Sequence, residues 1–270
     1  MIETDVTVER AVAAIRAATR PPLGELRAIA AALQAHIAAA LTSPQRAAFD
    51  FTPELLLPFL ERQSPLIDGA GIAYSPGAFA DQPTWVDWWH FDDERPTHIP
   101  YDLNPRSIGY YDYASREWFQ APRDLGRPVA IGPYVDSGGI FLNTVRLALP
   151  VPTASGTHTL GCDLSLTRLE SLFVHALAAV DPPLALVGGS GRVLASNSAR
   201  HTAGTRASAA WRSWPVFTDD DGLATVWTVR APAEEPSAPP CGADQAGRRA
   251  SRRNDSRVIA GVSGAAESAT

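Results

Sequence analysis

Apolar residues recur at helical spacing from the start of the chain. Val8, Val12 and Ile15 share one stripe, and after Pro21-Pro22 the stripe resumes as Leu26, Ile29, Leu33, Ile37 and Leu41. The first 43 residues are therefore predicted to form two helices, or one helix kinked at the prolines. A short helix is expected from Pro53 to Gln63 with Thr52 as its N-cap. Short runs rich in β-branched and aromatic residues follow at Gly71 to Tyr74, Thr84 to Phe91, Val129 to Val135, Ile140 to Pro150 and Thr157 to Leu166. Asp136-Ser137-Gly138-Gly139 reads as a tight hairpin turn. In the strand that follows, Phe141, Val145, Leu147 and Leu149 are apolar, whereas Asn143, Thr144 and Arg146 are polar, as in a half-buried strand. Thr167 to Val180 returns to a helical pattern. Helix, antiparallel sheet and helix in that order make an α+β domain.

Leu184 to Asn197 reads as two strand-like runs around a Gly-Ser-Gly turn, and Ala224 to Val229 as a third. The turn joins two strands with no helix after it, so it reads as a plain hairpin rather than a phosphate loop. From Ala231 the chain is Ala, Pro, Ser, Gly, Glu and Arg with almost no large apolar residues, and disorder is expected there. The expected organisation is a helical segment at 1–45, a ligand-binding domain at 46–183, a β extension or abbreviated second module at 184–230, and a tail at 231–270.

Composition narrows the chemistry. No lysine occurs among the 23 basic residues, which removes a P-loop lysine and any lysine Schiff base. A net charge of -6 argues against a nucleic-acid backbone as the main partner. Cys162 lies in an apolar strand-like run and Cys241 in the tail, so neither a disulfide framework nor a cysteine-ligated zinc is expected. The N-terminal stretch is acidic and interrupted, no run approaches a membrane span, and a cytoplasmic location is the expectation.

Between Ile108 and Asp163 lies an ordered set that runs on into the Leu-Ser-Leu after it. It comprises a tyrosine, an Arg-x-Trp-aromatic segment opening a short helix, Pro-Tyr-x-Asp on a strand, a glycine turn, a strand ending Ala-x-Pro-Val, and Gly-Cys-Asp-Leu-Ser-Leu. Over residues 66 to 170 the chain resembles the Cache superfamily of PAS-like sensory domains. The resemblance implies a five- or six-stranded antiparallel sheet, a long N-terminal helix along one face and a pocket on the other, with a small β extension. Some members bind a free amino acid, and their contact motif falls here on Tyr111, Arg116, Trp118, Phe119, Tyr134, Asp136 and Asp163. Phe119 stands where a tyrosine is common, so a hydroxyl donor is lost.

The residue types suit that ligand on their own. Arg116 can pair a carboxylate bidentately, with the Tyr111 hydroxyl and Trp118 indole N–H beside it. Asp136 and Asp163 accept from an ammonium, and Tyr134 offers a hydroxyl or a π face. Asp163 sits among Leu160, Cys162, Leu164 and Leu166, where an aspartate is costly without a partner. Singly, each residue has an ordinary reading: a surface ion pair for Arg116, core for Trp118, a turn for Asp136, a sheet aromatic for Tyr134.

The aromatics of Thr84 to His98 are candidate pocket walls, and the acidic loop after them is expected to help lid the pocket. His90, Asp92, Asp93 and His98 have no recognised metal-ligand spacing, and neither metal nor cofactor is expected. The alternatives are an amine-binding Cache-like protein and, from another class, a small-molecule enzyme using Asp136 and Asp163 as acid and base. A sensor of this kind, without an output domain in the chain, would act through a separate regulatory or output protein.

Overall fold

The computed structural model describes residues 2–38, 44–92, 95–135, 143–177, 182–224 and 227–232. Residues up to 233 make one compact unit. The tail from residue 233, with its arginines and Cys241, lies outside the described residues, as do Leu41 and the 136–139 turn; Ala231, expected to open the disordered tail, instead ends the last strand of the second sheet.

Helix α1 runs unbroken from Ile2 to Ala38 through Pro21 and Pro22. Two prolines remove two backbone donors, at about 3 kcal/mol or more for an interior position. The buried stripe nevertheless continues through them as Ile15, Thr19, Leu23, Leu26, Ile29 and Leu33, and that packing holds the helix together. Helix α2 spans Thr52–Gln63 with Pro53 in its first turn. Thr52 is not the N-cap, a place taken by Phe51. Its hydroxyl instead donates to the Phe49 carbonyl at 2.7 Å and lies 3.1 Å from the Tyr74 hydroxyl.

Six antiparallel strands form the main sheet: β1 (Ile67–Ala73), β2 (Val86–Asp92), β3 (Arg95–His98), β4 (Val129–Val135), β5 (Asn143–Thr153) and β6 (Gly156–Ser165). Their order is β3-β2-β1-β6-β5-β4. Strand β3, Arg-Pro-Thr-His, carries no apolar alternation; its proline is tolerated because it lies at the sheet edge. Helix α3 (Glu117–Leu125) begins within the Arg-x-Trp segment, with Arg116 as its N-cap residue, and α4 (Leu166–His175) follows β6. A second sheet of β7 (Ala185–Val187), β8 (Val193–Ser196), β9 (Arg212–Pro215) and β10 (Thr228–Ala231) has the order β8-β7-β10-β9. Strand β9, with exposed Arg212 and Ser213, gives no apolar signal and is fixed by pairing with β10.

The two faces of the main sheet differ in chemistry. Val145, Leu147, Leu149 and Val151 of β5, with Leu160, Cys162 and Leu164 of β6, join the core shared with α1. Burial pushes the Cys162 thiol well above its ordinary pKa, which suits an inert core residue. The alternate positions, among them Arg146, Thr159 and Asp163, face α3, and Thr159 Oγ1 donates to the Phe119 carbonyl at 3.0 Å.

His158 is buried beside Tyr74, and its Nδ1 accepts from the Ser75 amide at 3.1 Å. Burial, with a smaller contribution from Arg123, lowers its pKa to about 4 from 6.5. Between these values the unfolded chain binds a proton that the folded chain refuses. Stability should therefore fall as pH drops from 6.5 towards 4, by on the order of 3 kcal/mol from this residue, and level off below. Urea titrations across that window should show a shallower slope for His158→Gln.

Candidate functional site

The site is built on missing side chains. Gly71 of β1 pairs with Trp88 of β2 on one side and Gly161 of β6 on the other. With no Cβ at either glycine, the indole lies across the sheet: a Cβ would come 2.5 Å from Trp88 Cε3 at Gly71, and 3.3 Å from Cη2 at Gly161. Trp88 Nε1 thereby reaches Asp163 Oδ2, to which it donates at 3.1 Å.

Asp163 pairs in register with Arg146 of β5. Arg146 Nε donates to Oδ1 at 2.7 Å and Nη2 to Oδ2 at 2.9 Å, a bidentate pair in which Arg146 is 0% and Asp163 1% exposed. The guanidinium carbon lies 4.0 Å from the Trp88 ring centroid and 4.4 Å from that of Trp118, with Tyr134 5.9 Å away. Asp163 thus has the charged partner its apolar strand requires, supplied by the protein. Arg146 is the residue that sequence reasoning missed. Its signal was an arginine in the apolar run Thr144 to Val151, where a buried guanidinium demands an acid nearby.

Arg116 lies immediately before α3, after a turn in which Asp112 Oδ1 accepts from the Ser115 amide at 3.3 Å. Tyr101 stacks on Tyr111 with centroids 4.6 Å apart, and the Arg116 guanidinium carbon sits 5.5 Å from the Tyr111 centroid. Arg116 is exposed, and among the described residues it has no acidic partner. A cavity of about 590 Å³ opens here between α3, β4 and the β7–β8 turn.

Tyr111, Arg116, Trp118 and Tyr134 all line this cavity. Phe119 does not: it is fully buried, edge-on to Tyr113 at 5.1 Å, and the ring seals the core behind the site. Asp163 does not line it either, since the Arg146 and Trp118 layer lies on it. Asp136 falls outside the described residues. Glu117, Leu125, Ile131, Ser190 and Arg192 line the cavity without having been singled out beforehand. The last two come from the Gly-Ser-Gly turn, whose sequence carries no sign of what it packs against.

Gly132 explains how the turn arrives. Its φ of 133° lies in a region open to glycine, and a Cβ would meet the Thr144 carbonyl at 2.7 Å. Gly188, at the end of β7, approaches the Gly132 carbonyl so closely that a Cβ would lie 3.0 Å from it. The second sheet thus abuts the bulged edge strand β4, where pairing shifts between Ile131 and Tyr134.

The Thr84 to His98 block has a different place from the one expected. It supplies the β2–β3 hairpin at the far edge of the sheet, and none of its described residues lines the cavity; Asp93 and Glu94, in the loop expected to lid the pocket, lie outside the described residues. Trp89 packs in the main core with Trp85 and Phe91 against it. His98 Nε2 lies 3.5 Å from Asp87 Oδ1, and no cluster of three or more His, Cys, Asp or Glu side chains suited to a metal occurs among the described residues.

No protein-family model matches the chain, and no curated protein matches it. Solved structures do. The ligand-binding domain of the Pseudomonas aeruginosa amino acid chemoreceptor PctB, in complex with L-Arg, is 16% identical with a TM-score of 0.56, covering 84% of this chain and 91% of that one. The ligand-binding domain of the Pseudomonas fluorescens chemoreceptor CtaA, in complex with L-valine, is 14% identical with a TM-score of 0.56, covering 86% and 96%. That of PctC from Pseudomonas aeruginosa, in complex with GABA, is 17% identical with a TM-score of 0.53, covering 83% and 95%. The chain has the PAS-like α+β fold of these solved domains. Among the described residues no helix is long and apolar enough to cross a membrane.

Proposed function

We propose that the protein is a small-molecule-binding sensory domain whose cavity takes a free amino acid. The observation that carries this reading is the convergence of Tyr111, Arg116, Trp118 and Tyr134 on one cavity, in a fold whose solved neighbours include amino-acid chemoreceptor domains. Arg116, exposed to the cavity and free of an acidic partner among the described residues, takes the carboxylate. The rings of Tyr111, Trp118 and Tyr134 receive the ammonium on their π faces, with Glu117 at the same wall.

Asp163 has a positioning role in this reading. It fixes Arg146, which stacks on Trp118 and holds that indole in the wall. The enzyme reading loses its pair of carboxylates, because an aspartate bound bidentately to a buried arginine is not free to exchange protons with a substrate.

Calorimetric titration tests the assignment. Arg116→Ala should weaken amino-acid binding by about 10- to 100-fold, as expected for a lost charge-assisted pair, with the melting temperature of the free protein unchanged. Equal affinity in wild type and variant would remove Arg116 from the site.

A further inference from the structure

We propose that the β7–β8 turn adds a second anion-recognition edge to the cavity, and that the ligand is an amino acid with an acidic side chain. The inference rests on the amino-acid reading above and extends it. Ser190 and Arg192 enter the lining from the β7–β8 turn of the second sheet, whereas Arg116 enters it from the start of α3. Arg192 Nη1 donates to the Gly204 carbonyl at 2.7 Å, which anchors one edge of the guanidinium on backbone while the side chain stays exposed. Among the described residues no acidic group pairs with it.

Much of the remaining lining is apolar. Leu125, Val129 and Ile131 line the cavity between α3 and β4, and among the described residues Glu117 is the sole acidic residue in the lining. Guanidinium donors from two separate elements of an otherwise largely apolar lining fit a molecule carrying a carboxylate at each end of a short methylene chain. A carboxylate oxygen only accepts hydrogen bonds, and the guanidinium of Arg192 only donates them. The placement is built into the backbone, since Gly132 and Gly188 allow the close approach that brings the turn to the cavity.

Paired isosteres separate charge from shape. Calorimetric titrations with L-glutamate, L-glutamine, L-aspartate, L-asparagine and L-valine at fixed ionic strength should show each acid binding about tenfold or more tighter than its amide. Arg192→Ala should bring the acid-to-amide ratio to within about twofold, and Arg192→Lys should retain part of the preference. The melting temperature of each variant shows that it is folded. Amides or valine binding as tightly as the acids in wild type, or a ratio unchanged in Arg192→Ala, would overturn the acidic-ligand inference and leave the amino-acid reading standing. Binding of none of the five would overturn both.

Discussion

Asp163→Ala should lower the stability of the protein by about 3–5 kcal/mol, because it leaves the Arg146 guanidinium buried without its carboxylate. The geometry leaves little room for a milder outcome. Arg146 is fully buried, its Nε and Nη2 both point to Asp163, and two indoles close over it. For a domain of this size the melting temperature should fall on the order of 10 °C. Arg146→Met should cost a comparable amount, by stranding the aspartate instead. The double variant Arg146→Met with Asp163→Leu should recover more than half of either loss, since replacing a buried ion pair by apolar groups is often neutral. Chemical denaturation of the four proteins checks this, and single variants costing less than about 1 kcal/mol would mean that the pair does not hold the two sides of the site together.

Gly71→Ala is the second large effect. The new Cβ would stand 2.3 Å from the Asp87 carbonyl oxygen and 2.5 Å from the Trp88 ring. Neither neighbour can retreat cheaply: one is backbone in the adjacent strand, and the other is wedged over Gly161 with its N–H on Asp163. A loss of about 3 kcal/mol or more is expected, at the upper end for overpacking, with a changed near-ultraviolet signal from the displaced indole. Gly77→Ala offers a contrast. Nothing lies within 4 Å of its Cβ position, so its cost should come from its φ of 78° alone, about 1–2 kcal/mol. Equal and small losses at the two positions would contradict the flat Trp88 packing.

Periodicity in the sequence carried most of the fold. The α1 stripe, the strands β1, β2, β4, β5 and β6 and the β7–β8 hairpin are all written in local spacing, whereas the helix at the Arg-x-Trp segment was implied by the family resemblance. What escaped was set by tertiary contact. Strands β3 and β9 are short and polar and exist because a neighbour offers its edge. Prolines 21 and 22 signal a break, yet buried apolar residues on both sides, Val12 and Ile15 before them and Leu23 and Leu26 after, override them. The candidate site was legible in part, since Tyr111, Arg116, Trp118 and Tyr134 come together as the ordered motif implied. The partner of Asp163 lies 17 positions away on the adjacent strand, and only the β5–β6 register reveals it. Arg192 lies 76 positions beyond Arg116, and only the contact between the two sheets brings them to one cavity.

The central claim is that this cavity recognises an amino acid by its charged ends, and a thermal-shift series tests it most directly. Each amino acid would be compared with its decarboxylated amine and its deaminated acid at equal concentration. The account predicts that amino acids raise the melting temperature, by an amount corresponding to about 2.7 kcal/mol at a hundredfold excess over the dissociation constant. It also predicts that amines, which leave Arg116 without an anion, produce the weakest response. A larger shift from amines than from amino acids, or no shift from any compound in the series, would contradict it.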